Sequence, residues 1–204
     1  MFGLAPALVR VDLTVDRGET LLIRGPNGAG KSTLLRVIAT SLSPTYGGGT
    51  VLGFDVMAQR EQIRRCTELL GHRTRLYEEL TGEENLRFVC ALHAADPRAI
   101  APALERVGLT DVAGDRVRGY SQGMRQRLAV ARIILRAPDL LLLDEPYAGL
   151  DAEAKEIVDD LIDEAKAKGR TVILATHDPT RGRNASRVVH MDGGRVVRAV
   201  GASG

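Results

Sequence analysis

An α/β fold with a largely parallel sheet is what this sequence predicts, and three observations predict it. The runs "ETLLIR", "DLLLLDEP" and "TVILAT" are short and apolar, the pattern of strands buried on both faces. Helical periodicity alternates with them: Leu34, Leu35, Val37 and Ile38 follow the first, and Ile157, Val158, Leu161, Ile162 and Ala165 precede the third. The 204 residues, 44% hydrophobic and 26% charged, suffice for one well-buried soluble domain.

The remaining elements follow in order. "TYGGGTVLGFDV" reads as a turn, a strand and a loop. Thr81 and Glu84 have capping-box spacing ahead of "NLRFVCAL", and Asp96-Pro97 opens a further helix that Gly108 stops. Ser121 caps the helix of "SQGMRQRLAVARIILRAP", which ends before Pro138. The last stretch, "RVVHMDGGRVV", reads as a hairpin about Asp192, Gly193 and Gly194. A helical insert over 75–135 thus interrupts a core formed by 1–74 and 136–204, all within a single domain.

Charge and cysteine content exclude several roles. With 28 basic and 26 acidic residues the net charge is +2, and no basic stripe offers a seat for nucleic acid. Cys66 and Cys90 have neither metal nor redox spacing, which fits reduced thiols in the cytosol. "MFGLAPALVRVD" lacks the apolar core of a signal peptide, and no run reaches the ~18 apolar residues of a bilayer span. Work at a membrane would therefore pass through another protein.

The chemistry begins at "GPNGAGKS", residues 25–32, a full match to G-x-x-x-x-G-K-[ST] between strand and helix. Gly25, Pro26, Asn27, Gly28, Ala29 and Gly30 are expected to curl so that their backbone N–H groups face phosphate oxygens. Lys31 is expected to reach the β- and γ-phosphates, Ser32 to ligate Mg²⁺, and Thr33 to help at the α-phosphate. "LLLLDEP" delivers Asp144 and Glu145 to the carboxyl end of a strand, where open parallel sheets bind ligands. Asp144 is placed as a Mg²⁺ holder and Glu145 beside a water that attacks the γ-phosphate.

Those two motifs define a nucleoside triphosphatase; "YSQGMRQRLAVARIIL" narrows the class. It resembles the signature of ATP-binding cassette (ABC) proteins, with Tyr120, Gln122 and Met124 replacing the commoner residues while Ser121 and Gly123 are kept. "AGLD" resembles the D-loop, with Asp151 in place, and "ATHD" resembles the switch segment carrying His177. Phe2 resembles the aromatic that stacks on adenine, although the chain starts at about that residue. Where the family has a Q-loop glutamine, this sequence offers His72, a residue able to hydrogen-bond to a metal-bound water or, when neutral, to ligate the metal.

The resemblance implies a P-loop NTPase with a RecA-like core, a helical subdomain and short antiparallel β elements. It further implies that ATP and Mg²⁺ are sandwiched between two cassettes. Ser121, Gln122, Gly123 and Asp151 of one chain would then complete the nucleotide site of the other. Catalysis would fall to Glu145, His177 and Lys31. The partners implied are an integral membrane permease and a second cassette, either a copy of this chain or another ATPase subunit. The location implied is the cytoplasmic face of the cell membrane, with no nucleic acid involved. "LLGHRTRLYEELTGEENLRF" is similar to haem-exporter ATPases of cytochrome c maturation, while multidrug, lipid and polysaccharide exporters share most of these words. A soluble cassette ATPase and a nucleotide-binding module without turnover are the other readings.

Overall fold

The computed structural model describes residues 6–71, 74–182 and 184–201. These form two compact units, one comprising the chain through Gly71 with Asp139–Pro146 and the residues from Glu164 onward, the other the intervening residues to Pro138 with Tyr147–Asp163. The sequence division had left 147–163 with the core; here that segment is gathered with the helical unit.

The first unit is built on a six-stranded sheet. Its strands are β1 (Thr20–Arg24), β4 (Thr67–Leu70), β5 (Leu140–Asp144), β6 (Thr171–Ala175), β7 (Arg187–Asp192) and β8 (Arg195–Gly201), in the order β4-β5-β6-β1-β7-β8. The first five strands in that order run parallel, and β8 pairs antiparallel with β7 through the hairpin read from Asp192-Gly193-Gly194. The glycine-rich stretch after Tyr46 leads to a second hairpin, β2 (Thr50–Val51) with β3 (Phe54–Asp55), in place of one strand and a loop. Helix α1 (Lys31–Ile38) packs on β5 and β6.

Period-2 alternation explains the core. Leu21 and Ile23 of β1, Leu140 and Leu142 of β5, and Ile173 and Ala175 of β6 join Leu34 and Leu35 of α1 and Ile63 of α2 (Arg60–Cys66) in one buried cluster. Each fully buried leucine or isoleucine contributes about 1.5–3 kcal/mol by leaving water. Strand β4 and helix α2 were not legible in the sequence. Four residues, "TELL", carry little local signal, and the strand exists because its backbone finds β5 in register from Thr67↔Leu140 to Leu70↔Leu143.

The second unit is helical. Helix α3 (Gly82–His93) has the expected capping box: Thr81 Oγ1 accepts from Glu84 N at 3.1 Å and Glu84 Oε2 accepts from Thr81 N at 2.8 Å. Asp96 caps a single 3₁₀ turn, Pro97–Ala99, that leads into α4 (Ile100–Arg106). Both α3 and α4 pack on α5 (Gln122–Arg136). The buried Asn85 amide accepts from Tyr77 N at 2.8 Å and donates to Tyr77 O at 3.0 Å and Thr81 O at 2.8 Å, fixing the segment ahead of α3. From α5, Arg132 donates to Thr74 O at 2.7 Å, and burial draws its guanidinium pKa down to about 10. Helix α6 (Ala152–Ala167) begins in this unit. Among the described residues no helix is long and apolar enough to cross a membrane.

Candidate functional site

The residues expected to bind phosphate lie where β1 gives way to α1. Gly30 stands at the helix N-cap with φ +98° and offers no side chain to the first-turn N–H groups, and no acidic residue occupies that turn. A Cβ there would lie 2.7 Å from Ala7 O, so glycine is required both by conformation and by space. The helix start therefore presents open donors and the positive end of its dipole. Lys31 is buried, and its Nζ donates to Gly25 O at 2.7 Å and Pro26 O at 3.0 Å. The ammonium is thereby folded across the loop, with one of its three N–H groups left over.

Two neighbouring strand ends face this loop. Ser32 Oγ donates to Asp144 Oδ1 at 2.9 Å, joining α1 to the end of β5. A hydroxyl and a carboxylate are hard oxygen donors suited to Mg²⁺, and no group of three or more His, Cys, Asp or Glu side chains gathers among the described residues. The Ser32 hydroxyl with the Asp144 carboxylate fits Mg²⁺, which binds through one or two carboxylates together with water and phosphate oxygens. Glu145 follows with φ +51°, a left-handed conformation costing about 1–3 kcal/mol for a non-glycine residue. Its own N–H donates to Ala175 O at 2.8 Å, which holds it there.

The Glu145 carboxylate is surrounded by donors from the end of β6. His177 N donates to Oε1 at 3.0 Å, His177 Nδ1 lies 2.9 Å from the same oxygen, and Thr176 Oγ1 donates to Oε2 at 3.2 Å. The resemblance implies a catalytic role for His177; in the structure its ring sits on Glu145. Thr176 escaped the sequence reading, since a threonine ending an apolar strand looks like any β-branched strand residue.

In the helical unit Ser121 caps α5 as expected, its Oγ accepting from Met124 N at 3.2 Å. Tyr120, at a position where the family commonly has leucine, is buried and donates to Val112 O at 2.6 Å. Burial first, and the Asp115 charge second, push its phenol above the usual value. At Gly123 the nearest atom to an added Cβ is Gly149 O at 3.8 Å, so nothing among the described residues demands glycine there. Asp151 accepts from Ala154 N at 2.8 Å, the backbone bond that chiefly lowers its pKa, and from Arg127 at 2.5 Å. Arg127 was likewise not singled out by sequence. Phe2 and His72 lie outside the described residues.

A model of the family described as ABC transporter matches residues 8–148. The chain belongs to the ABC transporter family. This cassette is 39% identical over 172 residues to the ABC transporter ATP-binding protein NatA of Bacillus subtilis (strain 168), covering 82% of this chain and 70% of that protein. It is 40% identical over 201 residues to the daunorubicin resistance ATP-binding protein DrrA3 of Streptomyces coeruleorubidus, covering 96% of this chain but only 64% of the relative. Over 173 residues it is 40% identical to the cytochrome c biogenesis ATP-binding export protein CcmA of Xanthomonas oryzae pv. oryzae (strain MAFF 311018), covering 84% of this chain and 80% of that one. A dimeric post-hydrolysis state of the ATP-binding cassette MJ0796, bound to ADP and Pi, superposes with a TM-score of 0.88 at 27% identity, covering 97% of this chain and 91% of that one. The cassette thus has the fold of ABC ATPases and belongs to a family that binds and hydrolyses ATP.

Proposed function

We propose that this cassette is the ATP-hydrolysing subunit of an exporter, driving a separate membrane permease from the cytoplasmic face. The observation that carries the reading is the Ser32 Oγ to Asp144 Oδ1 bond, which sets Glu145 one residue from a side chain of the phosphate loop. In this reading the first-turn N–H groups of α1 and the Lys31 ammonium bind the β- and γ-phosphates, with the loop of residues 25–30 wrapped about them. Ser32 and Asp144 would hold Mg²⁺, which when bound offsets phosphate charge. Glu145 orients the attacking water and accepts its proton at a carboxylate oxygen, and His177 turns from Glu145 to donate a hydrogen bond to the γ-phosphate. The roles expected of Phe2 on adenine and of His72 at the metal belong to the same proposal.

A second cassette completes the site. The start of α5, with Ser121, Gln122 and Gly123, is exposed or half-exposed, and the space beside Gly123 leaves its backbone open to a phosphate held by another chain. The dimeric state of MJ0796 supports this pairing, and a twofold dimer would build two equal sites from one sequence. Asp151, tied to Arg127 within α5, would cross the interface beside the signature. A permease would dock near the segment from His72 to Leu80. The relatives named for daunorubicin resistance and for cytochrome c biogenesis export support the exporter class. The "GH…LTGEENLRF" wording supports haem export for cytochrome c maturation as its branch.

The test is Glu145→Gln. Loss of the carboxylate base is expected to lower ATP turnover at least a hundredfold, about the scale of general-base catalysis, while ATP binding persists and an ATP-bound dimer accumulates. Steady-state hydrolysis at the wild-type rate refutes the assignment. Purification from membranes tests the rest: a hydrophobic permease must accompany the cassette.

A further inference from the structure

Three hydrogen bonds converge on the Glu145 carboxylate, and they differ in permanence. Two are made by the backbone N–H of His177, at 3.0 Å from Oε1 and 3.4 Å from Oε2, and the His177 ring, 67% exposed, also lies against Oε1. The third comes from Thr176, which is 1% exposed and whose backbone N–H continues the sheet by donating to Ile23 O at 3.3 Å. Thr176 Oγ1 also accepts from Asp178 N at 3.1 Å. A hydroxyl has one proton, and with a backbone N–H already pointing at its oxygen, that proton goes to Glu145 Oε2.

The terminal torsion of a glutamate is broad and nearly without intrinsic preference, so backbone placement of Glu145 does not fix where its two oxygens point. The left-handed φ aims the side chain; something else must set the carboxylate plane. If the His177 ring leaves for a phosphate, its contact with Oε1 is given up; the His177 backbone N–H stays, shared between Oε1 at 3.0 Å and Oε2 at 3.4 Å, and the donor particular to Oε2 is the buried Thr176 hydroxyl.

We propose that Thr176 is a positioning residue for ATP hydrolysis: its hydroxyl fixes the rotation of the Glu145 carboxylate so that Oε1 faces the attacking water. The inference rests on the reading of Glu145 given above. In this proposal Thr176 acts through Glu145.

The experiment compares Thr176→Val, which keeps the shape and removes the donor, with Thr176→Ser, which keeps the donor, and runs Glu145→Gln beside them. The measurements are kcat and KM for ATP and direct nucleotide affinity, the last also reporting that each variant is folded. Thr176→Val is expected to lower kcat about 10- to 100-fold, the scale of a small misplacement of a catalytic group, with KM and affinity within about twofold of wild type. Thr176→Ser should restore most of the rate. Should the valine variant fail to fold, Thr176→Ala takes its place with the same expectation. The proposal is overturned by a kcat within about twofold of wild type after removal of the hydroxyl, by serine falling as far as valine, or by a loss confined to KM. If Glu145→Gln retains activity, the reading of Glu145 has failed; if only the Thr176 variants do, the inference alone has.

Discussion

Gly194→Ala, at the tip of the β7–β8 hairpin, is expected to weaken both the fold and the nucleotide site. Gly194 has φ +76°, and an alanine there would carry a Cβ 2.7 Å from Ala7 O and 3.1 Å from Ala7 C. The left-handed conformation costs about 1–2 kcal/mol for an L-residue. The clash is with backbone, so the segment at Ala7 must move, straining the Val9 N to Gly194 O bond of 2.7 Å, worth about 1 kcal/mol net. The sum is about 2–3 kcal/mol, a fall in Tm of about 4–12 °C for a domain of this size. Because Gly194 N donates to Ala29 O at 3.1 Å and Ala7 O closes on Gly30, the disturbance reaches the phosphate loop, and ATP affinity should fall as well. Urea denaturation and nucleotide titration of Gly194→Ala against Gly193→Ala isolate the effect. Gly193 has φ +51° with nothing within 4 Å of an added Cβ, so its variant carries only the conformational cost. Equal losses in the two variants would refute the buttressing argument.

Two further outcomes are expected. Asn85→Leu strands the Tyr77 N–H, while Tyr77 O keeps the Leu80 N–H at 3.3 Å, and should cost about 1–3 kcal/mol in denaturant titrations; a loss below about 0.5 kcal/mol would show that segment held by other bonds. Burial, and after it the charge of Arg132, hold the His93 imidazole below its usual 6.5, so the unfolded chain takes up a proton that the folded one resists. Stability from this group is therefore complete above pH 6.5 and is lost as pH falls through that value toward the depressed one. His93→Gln should reduce the acid slope of unfolding free energy in that window, and an unchanged slope would exclude His93 as its source.

The local words of this protein were enough for much of its reading. "GPNGAGKS" between an apolar run and a helical one, "LLLLDEP", the Thr81–Glu84 box and the Ser121 cap each encode their geometry within a few residues, so they survive without tertiary information. The parallel sheet was legible because buried strands must be apolar on both faces. What the sequence could not hold was pairing at a distance. Strand β4 forms because β5, 73 residues on, offers it a register, and the Gly194 turn supports Ala29 and Gly30 only once β7 lies beside β1. Thr176 gains its meaning from a carboxylate thirty-one residues earlier in the chain, brought within 3.2 Å by the pairing of β5 with β6. A residue's type sets which bonds it can make, and that is written locally; which partner it meets is decided by the sheet order, a property of the packed chain as a whole.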